Sequence, residues 1–223
     1  MRSGELVVGV DEAGRGSLVG DMFVAAVAVR RDRVYELLAL GVRDSKSLSR
    51  ERRALIAPRV LEVAEVAVVC RVTPEEIDRE NLNDLEVRAV ERIARQLKAR
   101  GLAVGEVVVD EVAGRARDIE VAVHRYYPEA RVAVVPKADR DYPVVAAASI
   151  VAKFLRDKHV ELLSRVYGEI GSGYPSDPRT LEWLRRVRSS GELPSCVRRS
   201  WKTVGRVTTL TLDAFAKRRP RGS

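Results

Sequence analysis

The sequence has few of the residues on which small secreted domains and zinc modules depend. Its 223 residues include two cysteines, Cys70 and Cys196, and two histidines, and none of them stands in a CxxC or Cys/His metal spacing. A disulfide framework and a structural zinc site are therefore disfavoured. No apolar run approaches the roughly 18 residues that cross a bilayer, and no basic-apolar-small leader follows Met1. We therefore expect a cytoplasmic protein of a reducing compartment.

Acidic side chains are scarce only toward the C-terminus. The chain has 40 Lys and Arg against 32 Asp and Glu, a net charge of +8. Residues 1–178 contain 28 basic and 29 acidic side chains, whereas residues 179–223 contain 12 and 3. Such a basic segment favours binding to a polyanion, because each Lys or Arg placed at a phosphate releases counterions. A solvated basic surface explains the charge alone equally well.

Strand and helix patterns alternate along the rest of the chain. The apolar run Leu6–Val10 is followed almost at once by Phe23–Arg30. This spacing is too short for a parallel crossover, so the two strands are predicted to pair antiparallel. The alternation as a whole predicts an α/β fold with a mixed sheet and helices against its faces. The other predicted strands are Val63–Val72, Glu106–Asp110 and Arg131–Val135.

Two long helices are predicted to cover this sheet. One spans Asp84–Arg100 and is ended by Gly101. The other begins at Pro143 and is rich in alanine, which permits close approach to a sheet. The buried stripe of this second helix is predicted at Val144, Ala148, Val151, Leu155 and Leu162.

Four carboxylates are candidates for one site, and three of them lie at or beside the carboxyl ends of predicted strands, where open α/β sheets hold their ligands. Asp11 and Glu12 end the first strand, Asp110 ends the fourth, and Asp139 stands just before the helix that begins at Pro143. If these side chains converge, like charges within about 4–6 Å raise one another's pKa, a conflict that a divalent cation resolves. Ligands that are all oxygen favour Mg²⁺ or Mn²⁺.

Strand geometry sets a condition on this site. Successive residues of a regular strand point to opposite faces, so Asp11 and Glu12 share one site only if the chain leaves strand geometry there. The glycines at 14 and 16 favour such a departure. A single Asp at a strand end is more often a turn or cap residue, but this interpretation weakens for a set of four.

A dinucleotide-binding site is the alternative interpretation of the glycines. Gly14, Gly16 and Gly20 follow a strand, as the glycines of that fingerprint do. The fingerprint needs a helix whose N-terminus faces a pyrophosphate. Here a strand-like run follows the glycines and two acids precede them, which disfavours this alternative.

Six segments of the chain form a recognisable set: DEAGRG at 11–16, DSKSLS at 44–49, NLN at 81–83, VVVDE at 107–111, KADRDYPVVAAASIVAKFLRD at 137–157 and GSGYPSDPRT at 171–180. Over roughly residues 5–205 the chain resembles ribonuclease HII in its archaeal form. The resemblance implies the ribonuclease H fold, a mixed five-stranded sheet flanked by helices, with a small C-terminal helical extension. The expected division is a catalytic domain at 1–170, the extension at 171–206 and an exposed basic tail at 207–223.

The resemblance also implies an activity. Members of this family hydrolyse the RNA strand of RNA/DNA hybrids and incise 5′ to ribonucleotides embedded in duplex DNA, leaving 3′-hydroxyl and 5′-phosphate ends. The implied ligands of two Mg²⁺ or Mn²⁺ ions are Asp11, Glu12, Asp110 and Asp139, the same four carboxylates. Two such ions can activate water and stabilise the leaving oxygen without a protein nucleophile.

Further residues are implied or expected to contact the substrate. By resemblance, the turn of Gly14, Arg15 and Gly16 reads the ribose 2′-hydroxyl, largely through its backbone, and Tyr174 packs on the sugar. The 2′-hydroxyl is the group that distinguishes RNA from DNA at a given nucleotide. The remaining substrate-binding candidates are Lys46, a phosphate contact by resemblance, and the cations Arg198, Arg199 and Lys202, expected on duplex phosphates.

The segment Thr209–Phe215 resembles the short motif with which many replication and repair proteins bind a sliding clamp. It departs from that motif at Thr209, where glutamine is usual, and at Ala216, which replaces the second aromatic residue. Folding of the segment back on the domain is the alternative. We expect the chain to be a monomer. Two other functions stay open: a different two-metal nuclease of this fold, such as a junction resolvase, and a non-catalytic nucleic-acid-binding protein.

Overall fold

The central sheet has five strands in the order β3-β2-β1-β4-β5. The structure is a computed structural model that describes residues 5–42 and 48–209. The strands are β1 Leu6–Ala13, β2 Met22–Arg30, β3 Val66–Val72, β4 Val104–Asp110 and β5 Arg131–Val135. The α-helices of the described residues are α1 Val34–Ala39, α2 Arg50–Val63, α3 Pro74–Arg79, α4 Leu82–Ala99, α5 Ala116–His124, α6 Pro143–Tyr167, α7 Pro178–Ser190 and α8 Lys202–Thr208.

The sheet is mixed, as the sequence predicts. β1 pairs antiparallel with β2, and β2 with β3, whereas β1 pairs parallel with β4 and β4 with β5. The predicted antiparallel pairing of the first two strands is therefore confirmed. Because β1 and β4 run in the same direction, their carboxyl ends meet at one edge of the sheet.

The chain does not leave strand geometry at Asp11 and Glu12, so that prediction is wrong. β1 stays paired with β2 through both residues, Asp11 opposite Ala25 and Glu12 opposite Val24. The strand ends one residue later, and the turn begins at Gly14, whose φ is +93°. The ladder to β2 thus holds the two carboxylates on opposite faces of the sheet.

Each face of the sheet is covered by one long helix. Val8 and Val10 pack in the layer that contains α4, whereas Val7 and Ala13 pack in the layer that contains α6. The second layer is unusually tight at Gly9, where a Cβ would lie 2.1 Å from the backbone of Val144. Only glycine permits this approach of α6 to β1.

The buried stripe of α6 differs from the predicted one at its C-terminal half. Leu162 is 57% exposed, whereas Arg156 and Val160 are buried. Beyond Ala152 the helix still contacts the end of β2, where the rings of His159 and Phe23 pack edge to face. Its buried side there faces the segments around Ser17 and Ser172, which Arg156 contacts through hydrogen bonds.

The last described residues pack as a separate apolar cluster. Trp183, Leu184 and Val197 bury against Leu18 and Val19, which follow the turn after β1. The C-terminal helices are therefore attached beside that turn. The division at residue 171 stays a prediction, and most of the 207–223 tail lies outside the described residues. In the described part of the chain no helix is long and apolar enough to cross a membrane.

Candidate active site

Three of the predicted carboxylates lie on neighbouring segments at the carboxyl ends of β1, β4 and β5. Val10 pairs with Val109, so Asp11 and Asp110 are adjacent on parallel strands. Oδ1 of Asp110 accepts a hydrogen bond of 2.7 Å from the backbone N–H of Ala138. The next residue, Asp139, is 3% exposed and lies in a short 3₁₀ helix over Ala138–Arg140 that precedes α6.

Glu12 reaches the same edge of the sheet from the opposite face. Asp11 accepts a hydrogen bond from Ser149 of α6, whereas Glu12 lies near Arg15 and Glu86 on the α4 side. The backbone N–H of Glu12 donates to Oδ1 of Asp11 at 2.8 Å. The two side chains leave the strand on opposite faces but come within hydrogen-bonding distance of each other at its end, so regular strand geometry does not keep them apart.

Burial and like charges act on these carboxylates together. Burial is the main reason why the pKa of Asp11 is raised well above its ordinary value, and Glu12 and then Asp110 add to it. Hydrogen bonds from Ser149 and from the Glu12 backbone oppose the shift. Burial also raises the pKa of Glu12, with Glu86 as the next cause. The site therefore has a negative potential that water screens poorly.

The donor chemistry of this edge fits a hard divalent cation, because every candidate ligand is a carboxylate oxygen. A bound cation would also offset the mutual repulsion that raises the pKa of Asp11. The positions of these side chains do not by themselves form a closed set of metal ligands. Within residues 5–42 and 48–209, no three His, Cys, Asp or Glu side chains lie close enough together to form a ready-made metal site.

The glycine turn lies directly beside Tyr174. Gly14 is held at positive φ, and a Cβ there would lie 2.9 Å from the carbonyl oxygen of Asp21, so the turn requires glycine. Gly16 is exposed, and a Cβ at this residue would lie 4.0 Å from Cε1 of Tyr174. The structure therefore brings together the turn and the tyrosine, although Gly16 and Tyr174 are 158 positions apart in the sequence.

A family model described as Ribonuclease HII matches residues 8–204. The chain belongs to this family. A curated Ribonuclease HII of Aeropyrum pernix is 49% identical over 201 residues, which cover 89% of this chain and 88% of that protein. As a member of the ribonuclease HII family, the protein is an endoribonuclease, a hydrolase with ribonuclease H activity on RNA/DNA hybrids.

Two solved structures extend the comparison. The PCNA:RNase HII complex from Archaeoglobus fulgidus is matched with a TM-score of 0.78 and 37% identity, covering 93% of this chain and 98% of that one. The Bst-RNase HIII structure in complex with Mn²⁺ is matched with a TM-score of 0.78 and 27% identity, covering 97% of this chain and 72% of that one. The predicted mixed five-stranded fold of ribonuclease HII is confirmed.

The cations expected on duplex phosphates divide into buried and exposed ones. Arg198 is fully buried, so the expectation that it contacts phosphate from the surface is wrong. Its Nε donates to the carbonyl oxygen of Gly20 at 3.0 Å, and its Nη1 donates to that of Arg15 at 2.9 Å. Burial, followed by the charge of Arg156, lowers its pKa to about 10. Arg199 and Lys202 are exposed.

Other residues of the ribonuclease HII site escape sequence reasoning. Arg156 lies with its Cζ 4.3 Å from the centre of the Tyr174 ring and donates hydrogen bonds to Ser17 Oγ and the Ser172 carbonyl oxygen. The buried Glu86 forms an ion pair with Arg15, whose side chain is partly exposed. The sequence signal that could have indicated Glu86 is its charge on the apolar face of α4, next to Leu85 and Ala89. Lys46 lies outside the described residues.

The loop that carries Tyr174 is tied to α7 by Asp177. One carboxylate oxygen accepts from the backbone N–H of Arg179 at 3.0 Å and caps the helix, and the other accepts from the backbone N–H of Ser172 at 2.7 Å. The hydrogen bond from Ser172 is the main reason why the pKa of Asp177 lies below its ordinary value.

We expect Asp177→Asn to lower the free energy of unfolding by about 1 kcal/mol at pH 7, because asparagine keeps one acceptor but leaves the Ser172 N–H unpaired. A depressed pKa stabilises the fold above the unfolded value of about 4, and this contribution is lost as the pH falls toward the lower folded-state value. Urea unfolding of both proteins at pH 7 and pH 3 should show a smaller difference at pH 3. Glu182→Gln, at an exposed position of α7, is the control. An equal difference at both pH values would contradict the assignment.

Proposed function

We propose that this ribonuclease, besides acting on RNA/DNA hybrids, incises 5′ to single ribonucleotides embedded in duplex DNA and leaves 3′-hydroxyl and 5′-phosphate ends. One observation carries the proposal. The exposed Gly16 lies beside Tyr174, and it stands only four positions after Glu12, the second carboxylate of β1. A group that recognises the sugar and a group that acts on its phosphate are thereby close in space.

We further propose that Asp11, Glu12, Asp110 and Asp139 hold two divalent cations, Mg²⁺ or Mn²⁺. Such ions supply an activated water and charge stabilisation for an in-line displacement. The chain's part is to orient the donors. Ala138 holds Asp110 through its backbone N–H, and Ser149 holds Asp11 from α6. Lys153 donates to Ser149 Oγ at 2.8 Å and so fixes the direction of that hydroxyl.

The proposed roles in substrate binding follow from exposure. If the ribose packs on Tyr174, its 2′-hydroxyl would lie close to the backbone of the turn from Gly14 to Gly16. The exposed cations Arg199 and Lys202 are suited to phosphates of the duplex, a contact that is independent of sequence. Lys46 is proposed as a further phosphate contact from its motif alone.

The test uses three labelled substrates with Mg²⁺ or Mn²⁺: a DNA duplex with one ribonucleotide, the same duplex without it, and a four-way DNA junction. We expect a single cut 5′ to the ribonucleotide and no cut in the other two. Cutting of the junction would favour the resolvase alternative. Binding of all three substrates without any cut would favour a non-catalytic binding protein.

We also propose that the segment Thr209–Phe215 docks on a sliding clamp. Its support is the solved PCNA complex of a similar chain and the resemblance of the segment to a clamp-binding motif. Residues 210–215 lie outside the described residues. A pull-down with the clamp should recover the full chain. It should not recover a chain truncated after Arg206 or the variant Phe215→Ala. Equal recovery of all three would end the proposal.

A further inference from the structure

The guanidinium of Arg15, at the centre of the glycine turn, is engaged on two sides by α4. Its Nη2 donates to Oδ1 of Asn83, and its Nη1 forms an ion pair with Oε1 of Glu86. Both partners lie in the first turns of the helix. The guanidinium of Arg15 is thus held by α4 although its side chain is 36% exposed, and these contacts fix the position of the turn.

Glu86 is unusual for a residue on the buried face of a helix. It is 2% exposed, and among the described residues Arg15 is the one cation that pairs with it. A buried carboxylate is strongly unfavourable without a partner. Glu86 and Arg15 therefore hold each other in place, and the position of the turn depends on this pair.

The same part of α4 also reaches the candidate catalytic carboxylates. The charge of Glu86 acts on Glu12, and that of Asp11 acts on Glu86. The side-chain amide of Asn83 donates to the carbonyl oxygen of Ala113 at 3.3 Å, three residues after Asp110. Two neighbouring side chains of one helix thus connect the turn to both strand ends that carry the carboxylates.

We propose that Glu86 and Asn83 are positioning residues that set the backbone of the glycine turn against the catalytic carboxylates, and so determine how fast a single ribonucleotide is cut relative to a continuous hybrid. The inference rests on the proposed reading of the 2′-hydroxyl by this turn. A single ribonucleotide presents one 2′-hydroxyl, at one fixed position along the duplex, to the turn. A continuous hybrid offers a hydroxyl at every nucleotide, so a displaced turn still finds one.

The test is the variant Glu86→Gln, which keeps the size of the side chain and removes its charge. Misplacement of a reacting group by about 1 Å costs up to about 10²-fold in rate. We expect kcat on the single-ribonucleotide duplex to fall by about tenfold or more, and kcat on a continuous RNA/DNA hybrid to fall by less than about threefold. KM should change little on either substrate, since phosphate contacts dominate binding.

Glu91→Gln is the matched control. Glu91 lies on the same helix and pairs with Arg125, away from the turn. Its replacement should leave both rates and their ratio at wild-type values. Equal losses of Glu86→Gln on the two substrates, or no loss on either, would overturn the inference.

Two further measurements separate positioning from general damage. In an Arg15→Met background, Glu86→Gln should add little, because its effect passes through Arg15, and an additive loss would contradict this. If Glu86→Gln fails to fold, Asn83→Ala should give the same selective loss. If the wild-type enzyme does not cut the single-ribonucleotide duplex, the proposed function fails as well. If the wild-type enzyme cuts this duplex but Glu86→Gln and Asn83→Ala leave the ratio of the two cleavage rates unchanged, this inference fails and the proposed function stands.

Discussion

Asp110→Asn should lower the rate of RNA cleavage by at least about 10²-fold to 10³-fold, the usual cost of removing one group that stabilises charge in a transition state. Asparagine keeps Oδ1, so it can still accept the hydrogen bond from the Ala138 N–H. The variant therefore changes the charge at the end of β4 and leaves its local structure intact. Single-turnover cleavage of a labelled RNA/DNA hybrid measures the loss.

Binding should survive this substitution. Affinity for a duplex comes mainly from phosphate contacts with cations, and Asp110 supplies none. Fluorescence anisotropy with the same labelled hybrid should give a Kd within about threefold of the wild-type value. Asp118→Asn is a suitable control, since Asp118 is an exposed carboxylate of α5 that pairs with Arg115. Wild-type cleavage rates in Asp110→Asn would show that Asp110 takes no part in catalysis.

Replacement of Arg198 should cost more stability than that of its neighbour Arg199. Arg198→Gln leaves the buried carbonyl oxygen of Gly20 and the partly buried one of Arg15 without their donors, at about 1–3 kcal/mol each. Relief of the buried positive charge offsets part of this. We therefore expect the free energy of unfolding to fall by about 2–4 kcal/mol, measured by urea unfolding.

Arg199→Gln should have the opposite profile. Its guanidinium is exposed and donates to the carbonyl oxygen of Leu193 at 2.7 Å, so stability should change by less than about 1 kcal/mol. Its loss should weaken duplex binding and reduce the slope of log Kd against log salt concentration by about one unit. A larger loss of stability in Arg199→Gln than in Arg198→Gln would contradict the burial assigned to these residues.

The difference between these two neighbours was not readable from the sequence. Both stand in one basic segment, and composition treats them alike. Arg198 is buried because the chain returns to the turn after β1, where its acceptor on Arg15 is 183 residues away. A contact over such a separation leaves no local pattern for periodicity to detect.

The carboxylates were more readily predicted. Asp11 and Asp110 end apolar runs that form adjacent parallel strands, and the strand ends bring them together without any special contact. What failed was the expected departure from strand geometry at Glu12. The sequence contains the glycines, but the pairing of Glu12 with Val24 keeps it in the strand.

The sequence alone determined the mixed α/β fold, the family and the acidic edge of the sheet, because strand periodicity and contiguous motifs are local properties. Only the tertiary structure decided that Asp11 faces α6 and Glu12 faces α4, and that Glu86 meets Arg15. Those outcomes depend on which helix covers which face of the sheet. Packing of distant segments sets that choice, and the burial it produces determines which charges pair within the protein and which stay available to a substrate.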